Sequence, residues 1–458
     1  MVRSGSMAGM PSEEVDVVVI GMGPGGEYVA AQCATAGLTT VGIESRLVGG
    51  ECPYFGCVPS KMIIRAADSL AEAGRVPQLA GSSTVTPDFT PVARRIRDEA
   101  TDNWNDQVAV DRFTKTGGVF VRGRARITGP HTVAVGDREF TASRAIVINT
   151  GTDPAVPPID GLAGTPYWTN REILRAEQRP ASLCVIGGGA IGLELAQAYA
   201  RFGTDVTVIE VSDRLLALEE PESSELISRI LVAEGLTVHT GAKIARVSYD
   251  GGFSVELDGG MVTAEKLLVA AGRRTALGEL GVGALGLDES ARFLEPDDRM
   301  RIADGVYAIG DITGKGAFTH MSMYQAAVAT RTVLGQDGPP AAYHAVPRVT
   351  FTDPEIGSVG MTEKQARNAG SRVRIGLTQL PSSARGWIHK VGNDGFIKLV
   401  ESDGILVGAT AAGPSGGEVL SALTVAVHAR LSTESLRHMI YAYPTFHRAI
   451  EDALGKLA

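Results

Sequence analysis

Two cysteines in the segment GGECPYFGCVPSK carry the clearest chemical signal in the sequence. Cys52 and Cys57 are separated by four residues, and the run beginning at Cys57 predicts a helix with Pro59 in its first turn. A thiol at a helix N-terminus is favoured as a thiolate, which lowers its pKa from the usual value of about 8.5. Lys61 follows one turn later on the same face, where its charge would support a thiolate or a reduced cofactor. The pattern indicates a dithiol capable of thiol–disulfide exchange.

Three other interpretations of the cysteine pair must be weighed. A structural zinc site needs four ligands, but the remaining cysteines, Cys33 and Cys184, fall in a predicted helix and a predicted buried strand. A stabilising disulfide across so short a loop would remove little entropy from the unfolded chain. Two unrelated buried thiols are the third alternative. Because the redox dithiol also explains the helix start and the nearby lysine, we favour it and predict no metal site.

The cysteines lie immediately after the first of two repeated units. Each unit has an apolar strand, a G-x-G-x-x-G turn, a helix and a second strand that ends in a glutamate. The key residues are Gly21, Gly23, Gly26 and Glu44 in the first unit and Gly187, Gly189, Gly192 and Glu210 in the second. Such glycines let backbone N–H groups approach a pyrophosphate, and the acid can bind ribose hydroxyls. A lone motif is a weak signal, but two complete units predict two dinucleotide cofactors.

The rest of the chain predicts the elements that would hold these residues. An apolar strand in GVYAIGD ends in Asp311, and ligands of a doubly wound sheet bind at the carboxyl ends of its strands. Beyond a linker rich in Pro and Ala, the chain has strands of its own and predicted helices in GEVLSALTVAVHARL and PTFHRAIEDAL. We therefore predict an α/β protein with two Rossmann-like dinucleotide-binding domains and a C-terminal α+β domain.

Composition limits the classes of partner and compartment. The chain has 458 residues, of which 44% are hydrophobic, enough for about three domains with cores of their own. A net charge of −9 argues against nucleic acid or an anionic membrane as a partner. The apolar run near the N-terminus is too short for a signal peptide, and no uncharged stretch approaches the roughly 20 residues that span a bilayer. With only four cysteines, the chain fits a reducing cytoplasm.

The segment GGECPYFGCVPSK resembles the active-site segment of the FAD-dependent pyridine nucleotide–disulfide oxidoreductases. This family includes dihydrolipoamide dehydrogenase, glutathione reductase and mercuric reductase. GVYAIGD is similar to the family's FAD-ribityl motif, VTFTDPEIGSVGMTE is similar to the start of its dimerisation domain, and GLELA around Glu194 is closest to the dihydrolipoamide dehydrogenase branch. The resemblance implies a homodimer with an FAD-binding domain at 1–155 and 275–340, an NAD(P)-binding domain at 156–274 and a dimerisation domain at 345–458.

The resemblance also implies a role for each candidate residue. Cys57 would be the charge-transfer thiol next to the flavin, Cys52 the outer interchange thiol, and Lys61 with Glu194 an ion pair near the flavin. The expected FAD contacts are the first repeated unit together with Gly151, Asp311 and His320. The expected NAD(H) contacts are the second repeated unit together with Gly272. NADP(H) is expected less, because Glu210 would repel its 2′-phosphate, although Arg214 could reach one.

The family pattern breaks near the C-terminus. Family disulfide reductases place a His-Pro-Thr segment there, with a Glu five residues after the His, as an acid–base catalyst. In this sequence Tyr443 precedes Pro-Thr, and Arg448 stands at the position of the Glu. A phenol with a pKa of about 10 is a poor base at neutral pH, whereas an imidazole at about 6.5 is well matched. Tyr443, His447 and His438 are candidate replacements, and packing or solvated roles are the alternative.

We predict NADH-driven reduction of a small disulfide-type substrate through FAD and the Cys52–Cys57 dithiol. The missing His-Glu dyad keeps two alternatives open. The first is reduction of a metal ion, a quinone or another electrophile, since mercuric reductases also carry Tyr at the dyad position, although they use a further cysteine pair and no cysteine follows Cys184 here. The second is a flavin-binding redox sensor that does not turn over.

Overall fold

The structure is a computed structural model, which describes residues 12–370 and 372–458. We predicted no signal peptide in the N-terminal segment. Most of that segment lies outside the described residues. Among the helices of the described part, none is long and apolar enough to cross a membrane.

The strands have the following bounds in chain order: β1 (Ser12–Ile20), β2 (Thr40–Glu44), β3 (Val119–Arg122), β4 (Ala125–Gly129), β5 (Thr132–Val135), β6 (Arg138–Ile148), β7 (Asp153–Pro154), β8 (Ser182–Ile186), β9 (Asp205–Ile209), β10 (Thr237–His239), β11 (Ile244–Tyr249), β12 (Phe253–Leu257), β13 (Gly260–Ala264), β14 (Lys266–Val269), β15 (Arg273–Arg274), β16 (Arg301–Ala303), β17 (Val306–Ala308), β18 (Pro347–Thr350), β19 (Glu355–Gly360), β20 (Val373–Gln379), β21 (Phe396–Ser402) and β22 (Ile405–Gly413).

The α-helices have the following bounds: α1 (Pro24–Thr35), α2 (Glu51–Phe55), α3 (Cys57–Arg75), α4 (Thr90–Arg95), α5 (Gln107–Thr114), α6 (Asn170–Ile173), α7 (Ala190–Arg201), α8 (Pro221–Ala233), α9 (Leu277–Leu280), α10 (Thr319–Leu334), α11 (Glu363–Asn368), α12 (Ala384–His389), α13 (Gly416–His428), α14 (Thr433–Arg437) and α15 (Ala449–Leu454). Short 3₁₀ turns lie at Val76–Gln78, Val282–Leu285, Gly310–Thr313 and Leu380–Ser382, and a π-helical turn lies at Ile96–Ala100.

The chain forms two compact units. The described residues of the first unit are 12–58, Arg97–Asp153 and Arg273–Ala342. Its sheet has the strand order β16-β17-β6-β1-β2-β3, in which the strands from β17 to β3 run parallel. The apolar run VVVI of β1 is buried throughout, as expected for a parallel strand covered on both faces. Helices α1 and α10 pack closely together at Gly25. A Cβ at this position would collide with Ser322.

The second unit comprises Pro59–Ile96, Pro154–Gly272 and Tyr343–Ala458. It contains a parallel sheet of order β10-β9-β8-β14, an antiparallel sheet of β11, β12 and β13, and an antiparallel sheet of order β18-β19-β22-β21-β20. Helix α13 packs on β19 and β22 with Leu420, Leu423 and Val427, which recur at helical spacing along its buried face. The predicted α/β class with a C-terminal α+β part is confirmed.

One predicted helix is wrong in extent. The segment PTFHRAIEDAL was expected to be helical throughout, but α15 begins only at Ala449. The Thr445 hydroxyl donates a hydrogen bond of 2.7 Å to the carbonyl of Ala442, so this short side chain stabilises a turn where the helix was expected. His447 therefore lies in the turn before the helix and not on the helix itself.

Candidate active site

The two cysteines meet at the junction of two helices. Cys52 lies in α2, and Cys57 is the first residue of α3, as the sequence predicts. Both are in the reduced thiol form, and their side chains share a hydrogen bond. Cys57 is exposed, whereas Cys52 is half-buried. The arrangement places one accessible thiol at a helix N-terminus and a second thiol within hydrogen-bonding distance of it.

A hydroxyl that the sequence analysis missed completes this pair. Thr319, the first residue of α10, lies with its Oγ1 atom 3.5 Å from the Sγ atom of Cys57 and also hydrogen bonds with Cys52. The hydrogen bond with Cys57, together with burial, raises the pKa of the Cys52 thiol. Cys52 therefore keeps its proton at neutral pH and donates it towards Cys57. The only available signal was the position of Thr319 beside the predicted contact His320.

The other two cysteines have different surroundings. Burial raises the pKa of Cys33 in α1 to about 11 and that of Cys184 in β8 to about 12. A buried thiol with so high a pKa is a poor nucleophile and a poor metal ligand. Within residues 12–370 and 372–458, no group of three or more His, Cys, Asp or Glu side chains is arranged to hold a metal ion.

The first glycine motif forms a tight cradle at the start of α1. Gly21 has a positive φ of 91°, and a Cβ on Gly26 would collide with the Gly21 carbonyl oxygen. The Nδ2 atom of Asn149 donates a hydrogen bond of 3.2 Å to the same carbonyl and lies 3.2 Å from where a Cβ on Gly23 would be. A Cβ on Gly50 would lie 2.9 Å from the Cα atom of Gly23. Glycine is therefore required at several points where backbone segments approach each other.

The second glycine motif repeats this geometry at the start of α7. Gly187 has a φ of 119°, and a Cβ on Gly192 would collide with the Gly187 carbonyl oxygen. In contrast with the first motif, a Cβ on Gly189 would meet no described atom within 4 Å. The space beside the N-terminus of α7 is therefore open to a phosphate group.

The two acids hold equivalent positions in their units. Glu44 accepts hydrogen bonds of 2.8 Å from the backbone N–H groups of Met22 and Arg46. Glu210 accepts equivalent bonds of 2.6 and 2.7 Å from Gly188 and Ser212. These contacts fix each carboxylate next to the glycine turn, where it can accept hydrogen bonds from a ribose. Burial raises the pKa of Glu44, although the two backbone N–H groups oppose that shift.

The guanidinium of Arg214 already donates hydrogen bonds to the loop that follows it and to the start of α8. Its nitrogens donate to the Ser224 hydroxyl at 2.6 Å and to the carbonyls of Ala217 and Glu219 at 2.7 and 2.9 Å. Arg214 would have to give up these bonds to reach a 2′-phosphate, whereas the Glu210 carboxylate is held next to the glycine turn.

Asp311 lies in the turn after β17, where the sequence predicts it. Its Oδ2 atom accepts a hydrogen bond of 3.0 Å from Thr152, and the guanidinium of Arg273 lies 4.0 Å away. Arg273 also donates to the side chain and the carbonyl of Thr152, at 2.7 and 2.6 Å. Burial raises the pKa of Asp311, and Arg273 opposes that shift. Arg273 and Thr152 were not predicted, because nothing in their local sequence signals a contact with Asp311.

The remaining predicted cofactor contacts are glycine turns and one exposed histidine. Gly151 and Gly272 have positive φ values of 64° and 115°, and a Cβ on either would meet no described atom within 4 Å. His320 is exposed and stacks on Phe318, with ring centroids 5.1 Å apart. Each of these positions leaves room for a ligand in its own unit.

Lys61 and Glu194 meet in the second unit. The Nζ atom of Lys61, in α3, lies 2.6 Å from the Oε2 atom of Glu194, in α7, and only 6% of the Glu194 side chain is exposed. The backbone N–H of Phe351 donates a hydrogen bond of 2.9 Å to Oε1 of Glu194, and the Phe351 ring centroid lies 4.5 Å from Nζ of Lys61. The structure thus brings together the predicted ion pair and adds Phe351 to it.

The C-terminal candidates Tyr443 and His447 differ in their surroundings from the nearby Tyr441. Tyr443 is 69% exposed, and the guanidinium of Arg448 lies 5.5 Å from its ring centroid. His447 lies 3.4 Å from the Thr445 hydroxyl. Tyr441, in contrast, is buried, and its hydroxyl donates to the Leu436 carbonyl at 3.0 Å, which identifies it as a packing residue.

His438 lies at the end of α14 and hydrogen bonds with Glu434 at 2.9 Å. Both side chains are exposed, at 77% and 72%. This contact is local to one helical turn and involves none of the other candidate residues.

The comparisons with known proteins agree with this geometry. Residues 15–332 match the pyridine nucleotide-disulphide oxidoreductase family, and residues 346–454 match its dimerisation domain. The dihydrolipoyl dehydrogenase of Chlorobaculum tepidum is 33% identical over 457 residues, with 96% of each chain covered. A mercuric reductase of Bacillus cereus is 31% identical over 451 residues, covering 96% of this chain and 71% of that protein.

A similar solved structure is the Cu(II) complex of RclA, a HOCl-induced flavoprotein disulfide reductase from Escherichia coli. It has a TM-score of 0.85 and 25% sequence identity, and the match covers 97% of this chain and 99% of RclA. The chain belongs to the pyridine nucleotide-disulphide oxidoreductase family. The predictions of a flavoprotein oxidoreductase and of FAD and NAD(H) as its cofactors are confirmed.

Proposed function

We propose that the protein is an NADH-dependent reductase of a small disulfide-type acceptor, with Cys52 and Cys57 as its redox-active dithiol. The observation that carries the proposal is the pair of hydrogen-bonded thiols at the N-terminus of α3, beside the Thr319 hydroxyl. The helix dipole and the hydroxyl both favour a thiolate at Cys57, while Cys52 retains its proton. When bound, FAD and NAD(H) together supply the transfer of an electron pair to the dithiol.

The cofactor assignments rest on the two glycine cradles. FAD would be held by the first unit through Gly21, Gly23, Gly26, Glu44, Gly151, Asp311 and His320. NAD(H) would be held by the second unit through Gly187, Gly189, Gly192, Glu210 and Gly272. The close backbone approach around Gly26 and Gly192 leaves no room for a side chain, which fits a pyrophosphate cradle. The acids held beside each turn fit the ribose hydroxyls.

The dithiol can reduce an acceptor disulfide by two successive exchanges. Cys52, after losing its proton, attacks one acceptor sulfur, and the other acceptor sulfur leaves as a thiolate that takes up a proton. The Cys57 thiolate then attacks the Cys52 sulfur, which leaves a Cys52–Cys57 disulfide and releases the second acceptor sulfur as a thiolate that takes up a proton from solvent. Each cycle therefore consumes two electrons and two protons. The raised pKa of Cys52 makes its deprotonation the demanding proton transfer.

We propose that Tyr443 takes the position of the missing histidine. Its phenol is 69% exposed and the Arg448 guanidinium lies over its ring, so the hydroxyl is available to a bound acceptor. A neutral phenol can donate a hydrogen bond to a leaving thiolate but is a poor base for Cys52. The arrangement suits acceptors whose thiol products have a low pKa and need little protonation. His447, which lies 3.4 Å from the Thr445 hydroxyl, is the alternative base.

Tyr443→Phe tests this assignment. We expect it to slow reduction of the acceptor by about 10²-fold, the lower end of general acid–base effects, and to leave stopped-flow reduction of the flavin by NADH unchanged. His447→Ala is the matched variant from the same turn and should change neither rate. A fully active Tyr443→Phe together with an inactive His447→Ala would assign the role to His447 instead.

A second candidate function is reduction of a metal ion or a quinone on the same scaffold. The observations in its favour are Tyr443, which the family resemblance places at the position of the dyad histidine, and the similarity of the chain to a mercuric reductase. An acceptor screen with NADH, covering cyclic and linear disulfides, quinones and metal thiolates, separates the two functions. Multiple turnovers with any of these acceptors would exclude a redox sensor without turnover.

Several further assignments accompany the proposal. We infer a homodimer in which residues 345–458 form the dimerisation domain, supported by the family match at 346–454. We likewise assign 1–155 and 275–340 to FAD binding and 156–274 to NAD(P) binding. The low cysteine content supports a reducing cytoplasm as the compartment.

A further inference from the structure

Charged and amide side chains line the facing surfaces of α3 and α7 within the second unit. On α3 they are Lys61, Asp68 and Arg75, which recur at every seventh residue, and on α7 they are Glu194, Gln197 and Arg201. A spacing of seven residues is close to two helical turns, so each set lies along one face of its helix. We call these six residues the polar seam.

Two ion pairs of the polar seam join the helices directly. Lys61 pairs with Glu194 at 2.6 Å, and Arg201 pairs with Asp68 at 2.7 Å. Arg201 is only 7% exposed and also contacts Glu234 at 2.6 Å. The Lys61–Glu194 pair, which the family resemblance implies near the flavin, is therefore one end of a longer series of contacts.

The other seam residues hold the chain segment 351–353, which follows β18. The Gln197 side chain accepts a hydrogen bond of 2.8 Å from the backbone N–H of Asp353 and donates one of 2.8 Å to its carbonyl. The Asp353 carboxylate accepts hydrogen bonds from Arg75 at 2.6 Å and from Arg201 at 2.8 Å. Burial tends to raise the pKa of Asp353, but Arg201 and Arg75 outweigh it and hold that pKa below its usual value.

This segment bears directly on the Lys61–Glu194 pair. Phe351, two residues before Asp353, donates its N–H to Glu194 and presents its ring to Lys61. Each carboxylate oxygen of Glu194 thus has one partner: Oε2 faces Lys61 and Oε1 faces Phe351. If the segment moved, buried Glu194 would lose the second partner, which is costly for a carboxylate, and Lys61 would lose its aromatic neighbour.

We propose that Asp353, Gln197, Arg201 and Arg75 are positioning residues that fix the Lys61 ammonium through the 351–353 segment. The proposal rests on the proposed function and on the placement of Lys61 near the flavin that the family resemblance implies. Buried ion networks are weak evidence for stability, because apolar residues of similar volume often serve as well. The polar seam instead fixes the orientation of the segment 351–353, since it binds the backbone N–H, the carbonyl and the carboxylate of Asp353 at once.

Two substitutions, made in the FAD-loaded enzyme, remove different contacts between the polar seam and the segment 351–353. Asp353→Asn removes the charge that Arg75 and Arg201 bind, and Gln197→Leu removes both backbone hydrogen bonds without changing a charge. Glu401→Gln is the matched control, because Glu401 is a buried carboxylate of the same unit that pairs with Arg374 at 2.6 Å and contacts neither Lys61 nor Glu194. Lys61→Met provides the reference spectrum for loss of the ammonium.

Three quantities are measured: hydrogen exchange of the Phe351 amide, the visible absorption band of bound FAD, and the rate of flavin reduction at saturating NADH. Asp353→Asn and Gln197→Leu should each speed amide exchange at least tenfold and shift the FAD band in the direction seen in Lys61→Met. They should slow flavin reduction by up to about 10²-fold, the effect of a misplacement near 1 Å, with the Kd of NADH unchanged. Glu401→Gln should do none of these.

The proposal is overturned if both variants keep wild-type amide exchange and the wild-type FAD band, or if Glu401→Gln shows the same changes. If Asp353→Asn does not fold, Gln197→Leu decides alone. If Lys61→Met leaves both the FAD band and the reduction rate unchanged, the placement of Lys61 near the flavin is wrong. In that case exchange of the Phe351 amide still decides whether the seam holds the segment.

Discussion

The two glycine motifs share one sequence pattern but differ in what surrounds them. The first is enclosed by its own unit: Asn149 lies over Gly23, and Gly50 approaches the Cα atom of Gly23 closely. The second has open space beside Gly189, the equivalent of Gly23. In both, the acid at the end of the second strand is held by backbone N–H groups. The difference lies in access and not in the cradle itself.

This difference indicates two kinds of cofactor binding. Gly50 directly precedes α2, which carries Cys52, so the segment that encloses the first motif also leads into the dithiol. A cofactor held there would be enclosed next to the proposed dithiol. The open second motif suits a cofactor that enters and leaves in every cycle. The first motif therefore fits resident FAD and the second fits exchangeable NAD(H).

The largest expected effect comes from adding one methyl group to each motif. Gly23→Ala should give protein with much less bound FAD, because its Cβ would lie 3.2 Å from the Nδ2 atom of Asn149, a tight contact inside the enclosed motif. Gly189→Ala is the matched control, since no described atom lies within 4 Å of its Cβ. It should fold and retain FAD but show a raised KM for NADH. FAD content per chain and steady-state kinetics measure both, and equal FAD loss in the two variants would contradict the difference in access.

The choice of nicotinamide cofactor tests the second motif more finely. NADH should be preferred over NADPH by about 10²-fold in kcat/KM, because a 2′-phosphate would meet the Glu210 carboxylate at a cost of several kcal/mol. Arg214, bound to its own loop, does not offset that charge. Glu210→Ala should lower the ratio of kcat/KM for NADH to that for NADPH. Glu44→Ala in the first motif should leave this ratio unchanged. A wild-type preference for NADPH would show that Arg214 governs the choice.

The smallest expected effect concerns the pH dependence of stability. Because burial raises the pKa of Glu44, the folded state binds its proton more tightly than the unfolded state does. This contribution is complete below a pH of about 4 and is lost as the pH rises through the folded pKa. The free energy of unfolding of Glu44→Gln, relative to wild type, should therefore increase as the pH rises above about 4.5. Urea unfolding at several pH values measures it, and a relative decrease would contradict the assigned direction.

The sequence predicted those parts of the site that depend on local pattern. The glycine turns, the acids Glu44 and Glu210 and the start of α3 at Cys57 each follow from a strand, a turn and a helix that are close in the chain. Thr319, Phe351 and Asp353 were missed, because their contacts join segments far apart in sequence and no local spacing signals them. The C-terminal helix was predicted too long, because its periodicity continues through a turn that the Thr445 hydroxyl stabilises.

The proposed chemistry depends most directly on Cys57 as the thiol next to the flavin and on Cys52 as the interchange thiol. Anaerobic reduction by NADH, followed by visible absorption of the Cys52→Ser and Cys57→Ser variants, tests both roles in one experiment. We expect a long-wavelength thiolate-to-flavin charge-transfer band in wild type and in Cys52→Ser, and no such band in Cys57→Ser. A band that persists in Cys57→Ser and disappears in Cys52→Ser would reverse the two roles, and a folded protein without bound FAD would contradict the account as a whole.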